Sequence, residues 1–87
     1  MVNSTATVMW QDNGVHVRVY ASDGKAVTER CWDGDGWYTG GFRQAGQSVS
    51  AAVLDGPIIR VYCVNNGKAT EYCWDNDGPW YKGGYSG

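Results

Sequence analysis

The stretch RVYASDGKAVTERCWDGDGWYTGGF, Arg18 to Phe42, returns as RVYCVNNGKATEYCWDNDGPWYKGGY, Arg60 to Tyr85. An offset of 42 positions carries Arg18-Val19-Tyr20 onto Arg60-Val61-Tyr62 and Thr28-Glu29-Arg30-Cys31-Trp32-Asp33 onto Thr70-Glu71-Tyr72-Cys73-Trp74-Asp75. With Pro79 as an insertion, Asp35-Gly36-Trp37-Tyr38 returns as Asp77-Gly78-Pro79-Trp80-Tyr81, and Gly40-Gly41 as Gly83-Gly84. The same offset lays Ala6 to Trp10 on Ser48 to Ala52 and Asn13-Gly14 on Asp55-Gly56, so the two units run from about 5 to 46 and from 47 to 87. Repetition at a fixed period of this size marks stacked or ringed units, none of which buries its apolar face alone.

Within a unit the apolar period is two. In Val15-His16-Val17-Arg18-Val19-Tyr20 the valines take one face and His16, Arg18 and Tyr20 the other, which is a strand pattern. Turn chemistry separates such stretches: Asn13-Gly14, Asp23-Gly24 and Asp33-Gly34-Asp35-Gly36 in the first unit, then Asp55-Gly56, Asn66-Gly67 and Asp75-Asn76-Asp77-Gly78 in the second. No segment carries a helical period. Four short strands joined by three turns match one blade of a β-propeller, which takes about 40–50 residues. The sequence therefore predicts an all-β chain of two four-stranded propeller blades. Rings need about four to eight blades, so identical chains are expected to meet head to tail. Arithmetic alone allows a dimer, a trimer or a tetramer.

Composition narrows the partners. Five Trp and six Tyr stand against a single Phe, so nearly every large ring carries a polar N–H or O–H for water or a ligand. A net charge of -2 and a pI near 5.0 provide no basic stripe for phosphates, which argues against nucleic acid. No run approaches the roughly 18 apolar residues of a spanning helix, so membrane insertion is not expected. Met1 to Trp10 lacks the basic start and apolar core of a signal peptide, which leaves the compartment open. Three cysteines are an odd number in such a chain and read as free thiols, small and buried, rather than as a disulfide framework.

Arg18 with Glu29, and Arg60 with Glu71, recur eleven residues apart on consecutive strands, where the two side chains are expected side by side. An isolated pair of this kind is a cross-strand ion pair. Here each pair travels with two tryptophans around a Gly/Asp turn, Trp32 with Trp37 and Trp74 with Trp80. Arg offers a fork of donors, Glu accepts two hydrogen bonds, and indole adds a flat apolar face. That set suits a sugar, whose vicinal hydroxyls donate to one carboxylate while its C–H face lies on a ring. A glycosidase needs two carboxylates about 5–9.5 Å apart, and each unit supplies one Glu beside an Arg, so no enzyme is expected. The Asp-x-Asp-Gly turns at Asp33 and Asp75 resemble the start of an EF-hand loop, but position 12 holds Gln44 or Ser86, so they read as hairpin turns with no metal. His16 is alone and aligns with Ile58, which points to a structural or exposed role.

The doubled RVY and TExCWD motifs, spanning essentially the whole chain, resemble the small bacterial fucose-binding lectins related to the fungal Aleuria-type lectins. Members of that family form six-bladed propellers, the small bacterial ones as trimers of two-bladed chains, and the resemblance is what selects a homotrimer here. It implies pockets between neighbouring blades that hold L-fucose and fucosylated glycans without metal or other cofactor. The pocket within a chain would use Arg18, Glu29 and the Gly41 amide with Trp74 and Trp80. The pocket between chains would use Arg60, Glu71 and the Gly84 amide with Trp32 and Trp37 of a neighbouring chain. In the family the Glu and Arg meet the fucose hydroxyls and ring oxygen, and an indole lies under its methyl-bearing side. Two departures stand out: Trp10 is matched by Ala52 where both repeats of family members tend to carry Trp, and Pro79 lengthens the turn before Trp80. A different class remains beside this one, a structural or protein-binding propeller whose Arg, Glu and Trp only pack.

Overall fold

A computed structural model describes all residues from Met1 to Gly87. Eight strands follow one another with no helix: β1 (Ser4–Gln11), β2 (Val15–Ser22), β3 (Ala26–Trp32), β4 (Trp37–Ala45), β5 (Ser48–Leu54), β6 (Ile58–Asn65), β7 (Lys68–Asp75) and β8 (Asp77–Ser86). No helix is therefore long and apolar enough to cross a membrane. The strands form two antiparallel four-stranded sheets, β1-β2-β3-β4 and β5-β6-β7-β8, each a simple meander. Most of the turn residues fall between strands, and Asn13 and Asn66 adopt the left-handed φ of 53° that their hairpins need. Asp75 and Asp77 instead belong to the ends of β7 and β8, leaving only Asn76 between them.

The alternation of β2 decides how the sheets meet. Tyr20, on the Arg18 face, is fully buried, and it joins Val8, Val27 and Phe42 of the first sheet against Ile59, Val61 and Cys63 of the second. The second sheet thus offers the Ile59 face of β6, and its own Arg60 face points away from the junction. Each aliphatic side chain withdrawn from water contributes about 1.5–3 kcal/mol. The core is small: 12 of 87 residues are buried, so most of both outer sheet faces stays in solvent.

A two-residue link, Gly46-Gln47, joins the sheets and is tied on both sides. Gly46 N–H donates to the Lys25 carbonyl at 2.9 Å and Gln47 N–H to the Val64 carbonyl at 2.7 Å. The Ser22 hydroxyl donates to the Gly46 carbonyl at 2.6 Å. A Cβ on Gly46 would sit 3.0 Å from Val27 and 3.2 Å from Cys63, so the absence of a side chain lets the two sheets close here. Across the same junction Val49 N–H donates to the Ser4 hydroxyl at 3.1 Å.

The registers correct one sequence equivalence. Arg18 faces Val8 and His16 faces Trp10 in the first hairpin. In the second, Arg60 faces Ala52 and Ile58 faces Leu54. Leu54, not Ala52, therefore holds the place of Trp10. The turn of the second hairpin takes in Pro57 and releases Leu54 into β5, which slides that strand by two residues. A slip of two keeps every side chain on its own face.

Candidate functional site

Between the sheets lies a cleft of 610 Å³ whose walls include Arg18, Glu29 and Gly41 from the first sheet and Trp74 and Trp80 from the second. The five residues assigned from sequence to the pocket within the chain thus converge on one space. Trp10, Tyr38 and Ile59 complete much of its wall, and Pro79 stands beside Trp80. Glu29 is the only carboxylate in the lining.

Local sequence fixes the Glu29 carboxylate. Tyr20 lies directly across from Glu29 in the β2–β3 register, and its hydroxyl donates to Oε2 at 2.8 Å. The Phe42 amide donates to Oε1 at 3.4 Å from beyond the irregularity that interrupts the β3–β4 ladder opposite Glu29. Burial, with the Glu29 charge beside it, pushes the Tyr20 hydroxyl far above the usual phenol range, so it stays a donor. The carboxylate lies where a side chain of Gly40 would be: a Cβ there would overlap Glu29 Oε1 and come within 2.8 Å of Cys31 Sγ. At Gly41 a Cβ would meet nothing. The two adjacent glycines differ in role, since Gly40 makes room for the acid and Gly41 leaves the cleft open.

Arg18 and Glu29 are not the side-by-side pair that their spacing suggests. The β2–β3 register places Arg18 opposite Cys31, two residues along from the Tyr20–Glu29 pair. The guanidinium instead reaches Asp33, with Nη1 to Oδ1 at 2.9 Å and Nη2 to Oδ2 at 3.3 Å, and Nη1 also donates to the Val17 carbonyl at 3.0 Å. Its Nε–H has no acceptor in the chain, which leaves a donor for a ligand. Tyr38 donates to Asp33 Oδ2, and this bond raises the Tyr38 phenol to about 12. Burial works against the Asp33 charge, yet hydrogen bonds from Arg18, Tyr38 and His16 hold its carboxyl well below the usual range. Sequence reasoning took Asp33 for turn chemistry alone. Its return as Asp75 at the motif offset, next to an Arg of the same face, was the available signal.

On the other wall, Trp74 and Trp80 stand 5.6 Å apart between centroids at 51°. Trp80 is braced edge-on by Phe42 at 4.7 Å and by Tyr20 at 6.0 Å. Gly78 approaches the Trp74 ring so closely that a Cβ would lie 2.8 Å from it.

The residues assigned to a second pocket lie on two separate surfaces. Arg60 donates to Asp75 at 2.7 Å and stands 3.9 Å from Glu71, Tyr62 donates to Glu71 at 2.8 Å, and the Tyr85 amide donates to Glu71 at 3.3 Å. Gly83 gives way to Glu71 as Gly40 does to Glu29, and Gly84 is open like Gly41. Trp32 and Trp37 form a pair at 5.7 Å and 52° on the opposite outer face of the chain, where Trp37 is 50% exposed. Nothing within one chain brings these halves together. Cys31, Cys63 and Cys73 are unbonded and buried, and burial pushes the Cys31 and Cys63 thiols up to about 11. No group of three His, Cys, Asp or Glu side chains is placed to hold a metal ion. No protein-family profile matches the chain, and a search of curated proteins returns no match.

Proposed function

We propose that the chain is a non-enzymatic lectin for L-fucose and fucosylated glycans, working as a homotrimer in which six blades close a propeller. One observation carries the reading: a buried acceptor, a largely buried guanidinium with a spare donor, and a braced indole pair meet in one cleft. Glu29 would accept from two neighbouring hydroxyls, Arg18 Nε would donate to a third oxygen, and the Trp74–Trp80 wall would take the apolar side of the ring. Charge-assisted hydrogen bonds of this kind are about twice as strong as neutral ones. The single carboxylate in the lining supports binding over hydrolysis, which needs a second acid or base.

The trimer reading draws on the two unmatched surfaces. The Arg60–Glu71–Gly84 face has the groups of the cleft's first wall, and Trp32 with Trp37 has those of its second. Docking one chain's face on the next chain's pair repeats the junction already present inside the chain. A head-to-tail contact of this sort closes a ring or grows a filament, and three two-bladed chains fall within the range of known rings.

Titration calorimetry with free L-fucose in EDTA tests the ligand. Heat that survives EDTA is the expected result; no heat leaves the structural propeller as the better reading. Light scattering tests the assembly. A mass near three times the 9.5 kDa of one chain is expected, and a folded species at the single-chain mass would defeat the ring.

A further inference from the structure

We infer that His16 is a positioning residue of the cleft between the sheets, and that its proton is coupled to ligand binding there and not at the second repeat. This rests on the sugar-binding reading above. His16 lies across from Trp10 in the β1–β2 register, and the two rings stack at 5.3 Å with 13° between planes. Its Nδ1 is 2.6 Å from Asp33 Oδ1 and its Nε2 is 2.9 Å from the Asp12 carbonyl oxygen. Both partners only accept, so the ring satisfies both only as an imidazolium with two N–H donors. The surroundings agree: the Asp33 bond first, then the Asp12 carbonyl, hold His16 above its ordinary 6.5.

The charged and titratable groups facing the ring come from each packed element. Asp33 follows β3, Asp12 lies in the β1–β2 turn, Arg18 stands two residues along on β2, and Tyr38 of β4 shares Asp33. Desolvation and, after it, the Arg18 charge oppose the added proton without outweighing these bonds. Trp10 connects this cluster to the ligand, for it lines the cleft while the Arg18 guanidinium lies 5.0 Å from its ring centroid. A neutral imidazole has one N–H, so on losing its proton the ring must abandon one acceptor and no longer presents a cation to the indole. Trp10 then loses the cation stacked on it, and either Asp33 or the Asp12 carbonyl loses a donor. At the second repeat Ile58 faces Leu54, so no imidazole stands beside Asp75 as His16 stands beside Asp33. Binding at the cleft therefore weakens as pH rises through the His16 midpoint.

Coupling of this kind is reciprocal: if the proton favours the ligand, the ligand must favour the proton by the same factor. His16 is the only histidine in the chain, so its Hε1 resonance is a single reporter. In NMR titrations with and without saturating L-fucose, the sugar is expected to raise the His16 midpoint by about 0.5 pH unit, the equivalent of about threefold in affinity for one exposed cation–π contact. Calorimetry on Glu71→Gln, which leaves the cleft as the working pocket, should give a matching threefold decline with pH. In Glu71→Gln carrying His16→Ile as well, that pH profile should be flat. Fucose heat with an unmoved His16 midpoint, or a pH profile that persists in the His16→Ile protein, would overturn the coupling alone. No fucose heat at any pH would overturn the sugar reading and this inference with it.

Discussion

The same constellation occurs twice in this chain in two states of burial. Around Glu29 and around Glu71 the tyrosine hydroxyl donates at 2.8 Å in both cases. The amide that follows the glycine pair donates at 3.4 Å and 3.3 Å. The Trp32–Trp37 and Trp74–Trp80 pairs agree to within a tenth of an ångström and one degree. Solvent differs instead: the Arg18 side chain is 16% exposed and the Arg60 side chain 30%. Phe42 is buried, while Tyr85 in its place is 55% exposed. Burial is the main cause of the rise at Tyr20, whereas at Tyr62 the Glu71 hydrogen bond leads. Geometry is therefore set within each repeat by strand register and turn, and the neighbouring sheet contributes desolvation.

The severest way to break this comparison is to fill the space the acid needs. Gly40→Ala should displace Glu29 and strand the buried Tyr20 hydroxyl, a loss of about 1–3 kcal/mol, whereas Gly83→Ala displaces the half-buried Glu71 by the same clash and should cost less. Urea unfolding of the two variants measures the difference; equal losses would mean that both faces are equally buried in the assembled protein. Gly41→Ala serves as the tolerated control.

Next in size is the loss of one acceptor charge. Glu29→Gln replaces an accepting oxygen with a donor against hydroxyls that must donate, and the expected cost is about 1.5–3 kcal/mol of sugar affinity at the cleft. Glu71→Gln should remove the other half of the calorimetric sites. A Glu29→Gln protein with unaltered stoichiometry and affinity would show that Glu29 does not touch the ligand.

Acid sharpens the comparison by a smaller amount. Asp33 and Asp75 both lie below their ordinary carboxyl range, Asp75 through Tyr81 and then Arg60. Depressed carboxyls stabilise the fold fully above their unfolded value of about 3.9, and that contribution is lost as pH falls through the lower folded value. Unfolding midpoints measured between pH 5 and pH 2 should drop less steeply in Asp33→Asn than in the unmutated chain, and by a lesser margin in Asp75→Asn. An unchanged slope in Asp33→Asn would remove Asp33 from the acid response. Smallest of all, the buried Cys63 thiol should alkylate at pH 8 only as fast as the protein opens, since its value of about 11 leaves little thiolate. Rapid labelling in the folded protein would contradict its burial.

Much of this was legible in the chain. Valine alternation in β2 and the Asn-Gly turns specify strands and hairpins through local sterics, and the repeated offset puts Arg18, Glu29, Trp74 and Trp80 in equivalent motifs. What escaped depends on pairing. Counting at a constant offset cannot see where a hairpin turns, so Ala52 took the place that Leu54 occupies. Asp33 escaped because an Asp before Gly serves a turn equally well with or without an Arg to hold. His16 escaped because its partners, Asp33 and the Asp12 carbonyl, become neighbours only through register. Which face of each sheet meets the other is likewise a matter of tertiary packing, since the period of two supplies two faces and no choice between them.

The link at Gly46-Gln47 has a kinetic consequence. Tied to Lys25 on one side and Val64 on the other, it makes the two walls of the cleft a single rigid piece, with no jaw to swing shut on a guest. Capture should then be a one-step encounter: in stopped-flow records of tryptophan fluorescence, the observed rate should climb linearly with sugar concentration and reach no plateau, as a slow closing step would impose. Release should be equally unobstructed. If the chains assemble and bind sugar as proposed, a molecule built this way would hold a glycan-covered surface through many brief grips, any one of which lets go quickly enough for the whole to creep sideways without ever detaching.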